Sequence, residues 1–100
     1  MAKFVYIYSE GKMPETPAEG EQVMAAWMSW MGGLGDAIVD QGNPFGASTT
    51  VSTSGVGGAG TAGGYTIINA DSLDDATKKA DGCPILAAGG TVGVYEAVEM

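Results

Sequence analysis

Lys3-Phe4-Val5-Tyr6-Ile7-Tyr8, the run KFVYIY close to the N-terminus, decides the fold. Its β-branched and aromatic residues predict a strand. Side chains alternate along a strand, so Phe4, Tyr6 and Tyr8 form one row and Val5 and Ile7 the other. Both rows are apolar, and such a strand needs cover on both sides. The rest of the 100-residue chain must supply that cover. At this length it predicts a single domain over 1–100 with one core.

Downstream, Glu10 to Glu15 is a loop. Thr16-Pro17-Ala18-Glu19 then marks a helix start, with Thr16 as cap, Pro17 at the first helical position and Glu19 closing a capping box. The helix is expected over 17–34, with Val23, Trp27, Trp30, Met31 and Leu34 in one apolar stripe. Gly32, Gly33 and Gly35 end it. Ala37 to Asp40 is a short extended connection and Gln41 to Gly46 a turn. Ala47 to Thr53 (ASTTVST) predicts the second strand, Ser54 to Gly64 a flexible Gly-rich hairpin tip, and Tyr65 to Ala70 the third strand. Asp71 or Ser72 caps a second helix with Leu73, Ala76 and Ala80 at helical spacing; Gly82 and Pro84 stop it. Ile85 to Gly90 is a loop, and Thr91 to Val98 the last strand.

The order β-α-β-β-α-β predicts an α+β fold of the ferredoxin-like kind: a four-stranded antiparallel sheet with two helices on one face. Two helices cover only one of the apolar rows. The other row, whichever it is, predicts a homodimer packed sheet to sheet about a two-fold axis.

Composition narrows the function. Twelve acidic residues against four lysines, with no Arg and no His, give a formal net charge of −8. A nucleic-acid partner needs a basic face and is not expected, nor is an anionic membrane. Without His, a Ser-His-Asp triad cannot be built and the commonest metal ligand is missing. The single Cys83 excludes a disulfide framework within the chain and a cysteine-cluster zinc site, so neither metal nor cofactor is expected. The Phe4–Tyr8 run is too short for a signal-peptide core or membrane span, which points to the cytoplasm.

Four stretches together resemble the YCII-related proteins of the dimeric α/β-barrel group: KFVYIY, AAWMSWMGGLGDAIVDQGNPFG, GGYTIINADSLDDATKKADGCP and GGTVGVYEAVEM. The resemblance implies a ferredoxin-like protomer and a homodimer. It also implies kinship with small-molecule isomerases and cofactor-free oxygenases. Many such proteins carry Gly-His-Pro after the second helix; here the run is Gly82-Cys83-Pro84. A sister branch has Asp-Gly-Pro-Phe in the middle hairpin, where this chain has Ser54 to Gly64.

Asp40 is the foremost candidate for chemistry. In a cleft walled by aromatics it would serve as the proton-transfer group; in the plainer case it accepts backbone N–H bonds in the following turn. Tyr6, Tyr8, Trp30 and Tyr65 line an apolar ligand pocket or fill core and interface. Ser48 adds a polar contact, as do Thr50 and Asn69. Cys83 is a pocket residue and candidate nucleophile, or a small buried side chain; a helix C-terminus disfavours its thiolate. The run Gly55-Val56-Gly57-Gly58-Ala59-Gly60 is no dinucleotide fingerprint, because no helix follows it. Two functions result: a cofactor-independent enzyme acting on a small organic molecule near a dimer interface, or a non-catalytic homodimeric binding or accessory module.

Overall fold

In the computed structural model, which describes residues 2–99, the elements run β1 (Ala2–Ser9), α1 (Pro17–Leu34), a 3-10 turn (Gly35–Ala37), β2 (Ile38–Asp40), β3 (Val51–Ser52), β4 (Gly55–Val56), β5 (Ala62–Ala70), α2 (Leu73–Ala80), α3 (Pro84–Ala87) and β6 (Thr91–Ala97). Met1 and Met100, the ends of the expected 1–100 domain, lie outside the described residues. Four strands form one antiparallel sheet in the order β2-β5-β1-β6. With α1 and α2 inserted, this is the ferredoxin-like βαββαβ pattern.

The register settles which row the helices take. Phe4 lies opposite Ile68 and Glu96, Tyr6 opposite Thr66 and Val94, and Tyr8 opposite Gly64 and Val92. Phe4, Tyr6, Tyr8, Ile68 and Ala70 are buried against Ala76, Ala80 and Cys83, with Trp27, Trp30 and Leu34 packed on them. Each such large side chain taken from water contributes about 1.5–3 kcal/mol. Tyr8 meets Trp27 edge to face at 4.9 Å between ring centroids, a favoured aromatic geometry. Val5 and Ile7 stand on the other side, with Val5 opposite Ile67 and Tyr95 and Ile7 opposite Tyr65 and Gly93. The protein is only 19 Å through its thinnest dimension. That is one sheet and one helix layer, since each adds roughly 10 Å.

The starts of α1 and α2 follow from their caps. Glu19 N–H donates to Thr16 Oγ1 at 3.1 Å and Asp75 N–H to Ser72 Oγ at 3.0 Å. The return bonds reach one residue further back than a standard capping box: Glu19 accepts from Glu15 N–H and Asp75 from Asp71 N–H. Gly35, at φ 55°, closes α1 in the left-handed region open to glycine.

Four features differ from the sequence-based expectation. The second strand of the sheet is Ile38–Asp40, not Ala47–Thr53. Ile38 faces Ile68 across the pair and packs on the core, whereas ASTTVST carries only Val51 as a large apolar residue. That segment gives instead the two-residue strand β3, paired with β4 in a separate hairpin. The end of the expected Gly-rich tip belongs to the sheet, because β5 begins at Ala62. The loop after Pro84 opens with the short helix α3, and the last strand stops at Ala97, leaving Val98 exposed.

Candidate functional site

Asp40 ends β2 at the edge of the sheet, on the face away from the helices, opposite Ile67. Its Oδ1 accepts Gly42 N–H at 2.9 Å, closing an Asx turn. Its Oδ2 accepts the Tyr65 hydroxyl at 3.2 Å. The Phe45 ring stacks on Tyr65 at 5.7 Å and 19°. Among the described residues this is the one place where a carboxylate bonds an aromatic hydroxyl.

The turn is pressed tightly onto β5. Gly42 has φ 76°, and a side chain there would put its Cβ 1.7 Å from the Tyr65 carbonyl oxygen. Thr66 Oγ1 donates to the Gln41 carbonyl at 2.9 Å, Phe45 N–H to the Gly63 carbonyl at 2.9 Å, and Tyr65 N–H to the Asn43 carbonyl at 3.3 Å. The chain from Asp40 to Phe45 therefore rides on β5, which aims the carboxylate and both rings at the uncovered face.

The other sequence-predicted site residues lie elsewhere. Tyr6, Tyr8 and Cys83 are core side chains between sheet and helices, with Trp30 packed on them. Tyr6 donates its hydroxyl to the Ala76 carbonyl, Tyr8 to Thr66 Oγ1 at 2.8 Å, and Trp30 its indole N–H to the Lys79 carbonyl at 3.2 Å. Burial pushes the Tyr6 phenol up to about 12 and the Tyr8 phenol higher still. Burial also pushes the Cys83 thiol up to about 11, so it stays protonated and unreactive near neutrality. Ser48 sits in an exposed loop, where its Oγ accepts Gly60 N–H at 2.9 Å. Thus Asp40 and Tyr65 come together, Tyr6, Tyr8, Trp30 and Cys83 form a second group across the sheet, and Ser48 joins neither.

Phe45 escaped the sequence reading, although an aromatic inside a polar turn is itself a signal. So did the Met-rich outer flank of α1. An open groove of about 740 Å³ runs between α1 and the β2 edge, lined by Met24, Trp27, Met28, Met31, Ile38 and Gln41. A second, of about 750 Å³, lies between α1 and α3 beside Val23, Trp30 and Leu86. Both are within the size range of small-molecule sites, yet their linings hold no carboxylate or ammonium group. Among the described residues, no three His, Cys, Asp or Glu side chains converge to hold a metal ion. No described helix is long and apolar enough to cross a membrane.

Comparison with known proteins gives the same frame. None of the curated proteins gives a significant match. Among solved structures, the chain is similar to the 5-chloro-2-hydroxyhydroquinone dehydrochlorinase (TftG) from Burkholderia phenoliruptrix AC1100, in complex with 2,5-dihydroxybenzoquinone. The identity is 21%, the TM-score 0.59, and the alignment covers 97% of this chain and 95% of that one. At that identity the likeness carries the fold alone. A match to the YCII-related domain spans residues 3–100, so this chain belongs to the YCII-related family.

Proposed function

We propose that the protein is a homodimer packed through the uncovered sheet face, and that it acts without a cofactor on a small organic molecule in the cleft formed over Asp40, Tyr65 and Phe45. The hydrogen bond between the Tyr65 hydroxyl and the Asp40 carboxylate, beside the stacked Phe45 ring, carries this reading. Asp40 takes up a proton from the bound molecule, and Tyr65 orients that carboxylate and can turn its hydroxyl to an oxygen of the ligand. Phe45 offers a flat apolar wall. Val5, Ile7, Ile67 and Tyr65 form an apolar strip that a second copy would remove from water. The dehydrochlorinase of the same fold, solved with a dihydroxybenzoquinone, supports a flat oxygenated ligand.

A binding-only module is favoured by one observation: both Asp40 oxygens are already engaged, by Gly42 and by Tyr65. A thermal-shift screen of hydroxylated benzoquinones and related rings, followed by assay of the binders, separates the two. A ligand in excess over its Kd raises Tm, because it binds only the native state. Turnover lost in Asp40→Asn with binding kept supports the enzyme; binding with no turnover in the wild type supports the module. Absence of any stabilising ring compound would remove the site.

A further inference from the structure

We infer that Tyr95 of the second copy completes the Asp40 site. This rests on the homodimer proposed above and adds which residue the second copy brings. The uncovered face has Asp40 at its β2 edge and Tyr95 at its β6 edge. Tyr95 is 60% exposed, and its ring lies back over Gly93, where a Cβ would be 2.9 Å from Tyr95 Cε2. Within one copy the two edges are three strand spacings apart, about 14 Å. A tyrosine side chain does not span that distance, so Tyr95 cannot serve the Asp40 site of its own copy.

Two sheets facing each other about a two-fold axis have two aligned arrangements. With the axis across the strands, β2 lies over the partner's β2. This brings two Asp40 carboxylates together in an apolar seam, where like charges repel and desolvation magnifies the cost. With the axis along the strands, β2 lies over the partner's β6. Asp40 and Tyr65 then face the partner's Tyr95, a neutral ring with a hydroxyl donor. Charge selects the second arrangement. Phe45 and Tyr65 on one side and the partner's Tyr95 on the other form a slot for a flat ring, with a carboxylate and hydroxyls at its polar end. The site is built from both copies and is incomplete in either alone.

Asp40→Cys and Tyr95→Cys, prepared separately, test this with a short bismaleimide cross-linker. Both positions are exposed in the protomer, and native Cys83 is buried. The mixed and equilibrated variants should give a covalent dimer, and Tyr95→Cys alone should not. The cross-linker also traps the pair where a substitution weakens the seam. A covalent dimer from Tyr95→Cys alone, which keeps both Asp40 carboxylates and would report β6 lying over the partner's β6, overturns the inference, as does no product from the mixture while the wild type sediments as a dimer. A wild type that is monomeric at tens of micromolar overturns the homodimer reading and this one with it.

Discussion

The Tyr8 hydroxyl donates to Thr66 Oγ1 at 2.8 Å inside the core, and Thr66 donates onward to the Gln41 carbonyl at 2.9 Å. One threonine thus ties an aromatic of the helix-covered face to the turn that carries Asp40. Thr66→Val keeps the shape but leaves the buried Tyr8 hydroxyl without an acceptor, at a cost of about 1–3 kcal/mol. Tyr8→Phe removes the donor and leaves the Thr66–Gln41 bond in place, at about 0.5–1.5 kcal/mol. Urea unfolding of both variants checks the order; an equal or reversed order would show that the chain is not the stabilising element.

Two glycines should respond in opposite directions to alanine. Gly42 lies in the left-handed region with the Tyr65 carbonyl in the place of a side chain, so Gly42→Ala must displace the turn. Gly33, near the end of α1, has open space around it, and Gly33→Ala should stabilise by about 0.5–1 kcal/mol. Thermal unfolding should show a lower Tm for the first and a higher Tm for the second.

Cys83 makes stability sensitive to alkali. Burial raises its folded-state value from 9.0 to about 11, so the native state keeps the proton when the unfolded chain has lost it. This contribution is full below pH 9 and is lost as pH rises towards 11. The loss is on the order of 2 kcal/mol by pH 11. Tyr6, raised from 10.0 to about 12 mainly by burial, extends the decline. Urea midpoints at pH 8 and pH 10.5 measure it, and Cys83→Ala should flatten the first part. At pH 8 the native thiol should resist a maleimide that labels it readily in urea.

The start of α2 provides an independent handle. Ser72 Oγ accepts Asp75 N–H, and the Asp75 carboxylate accepts from Lys79 Nζ at 2.9 Å and from Asp71 N–H. Ser72→Ala should lower stability by about 1 kcal/mol. The Lys79 bond, with the Asp71 N–H, holds the Asp75 carboxyl below its ordinary value. Its contribution is present above the unfolded carboxylate value and is lost as pH falls through the lower folded one. Lys79→Met should narrow that acid-side decline in far-UV circular dichroism titrations.

Much of this architecture is legible from local pattern. The period of two in KFVYIY gives a strand with two apolar rows, and Thr16 and Ser72 mark the helix starts through hydroxyl chemistry that needs no tertiary partner. Which row the helices take is not local, since both are apolar; Trp27 and Trp30 settle it by packing on Tyr8 and Tyr6. β2 escapes pattern reading because three residues show no periodicity and its pairing shifts between Ile38 and Asp40. Asp40 is visible as a turn carboxylate after an apolar pair. Its bond to Tyr65, 25 residues away, depends on the turn folding back along β5.

Helix α1 has no fully buried residue, and Met24 and Met28 are 67% and 70% exposed. It is fastened mainly by Trp27, Trp30 and Leu34, which leaves its first two turns with little to hold them. Its amides should therefore open to deuterium through partial unfolding well before the global transition. Those of β1, bonded on both flanks, should be the last to exchange. The protein then has two tiers of protection, a durable sheet and a helix that detaches at lower free energy.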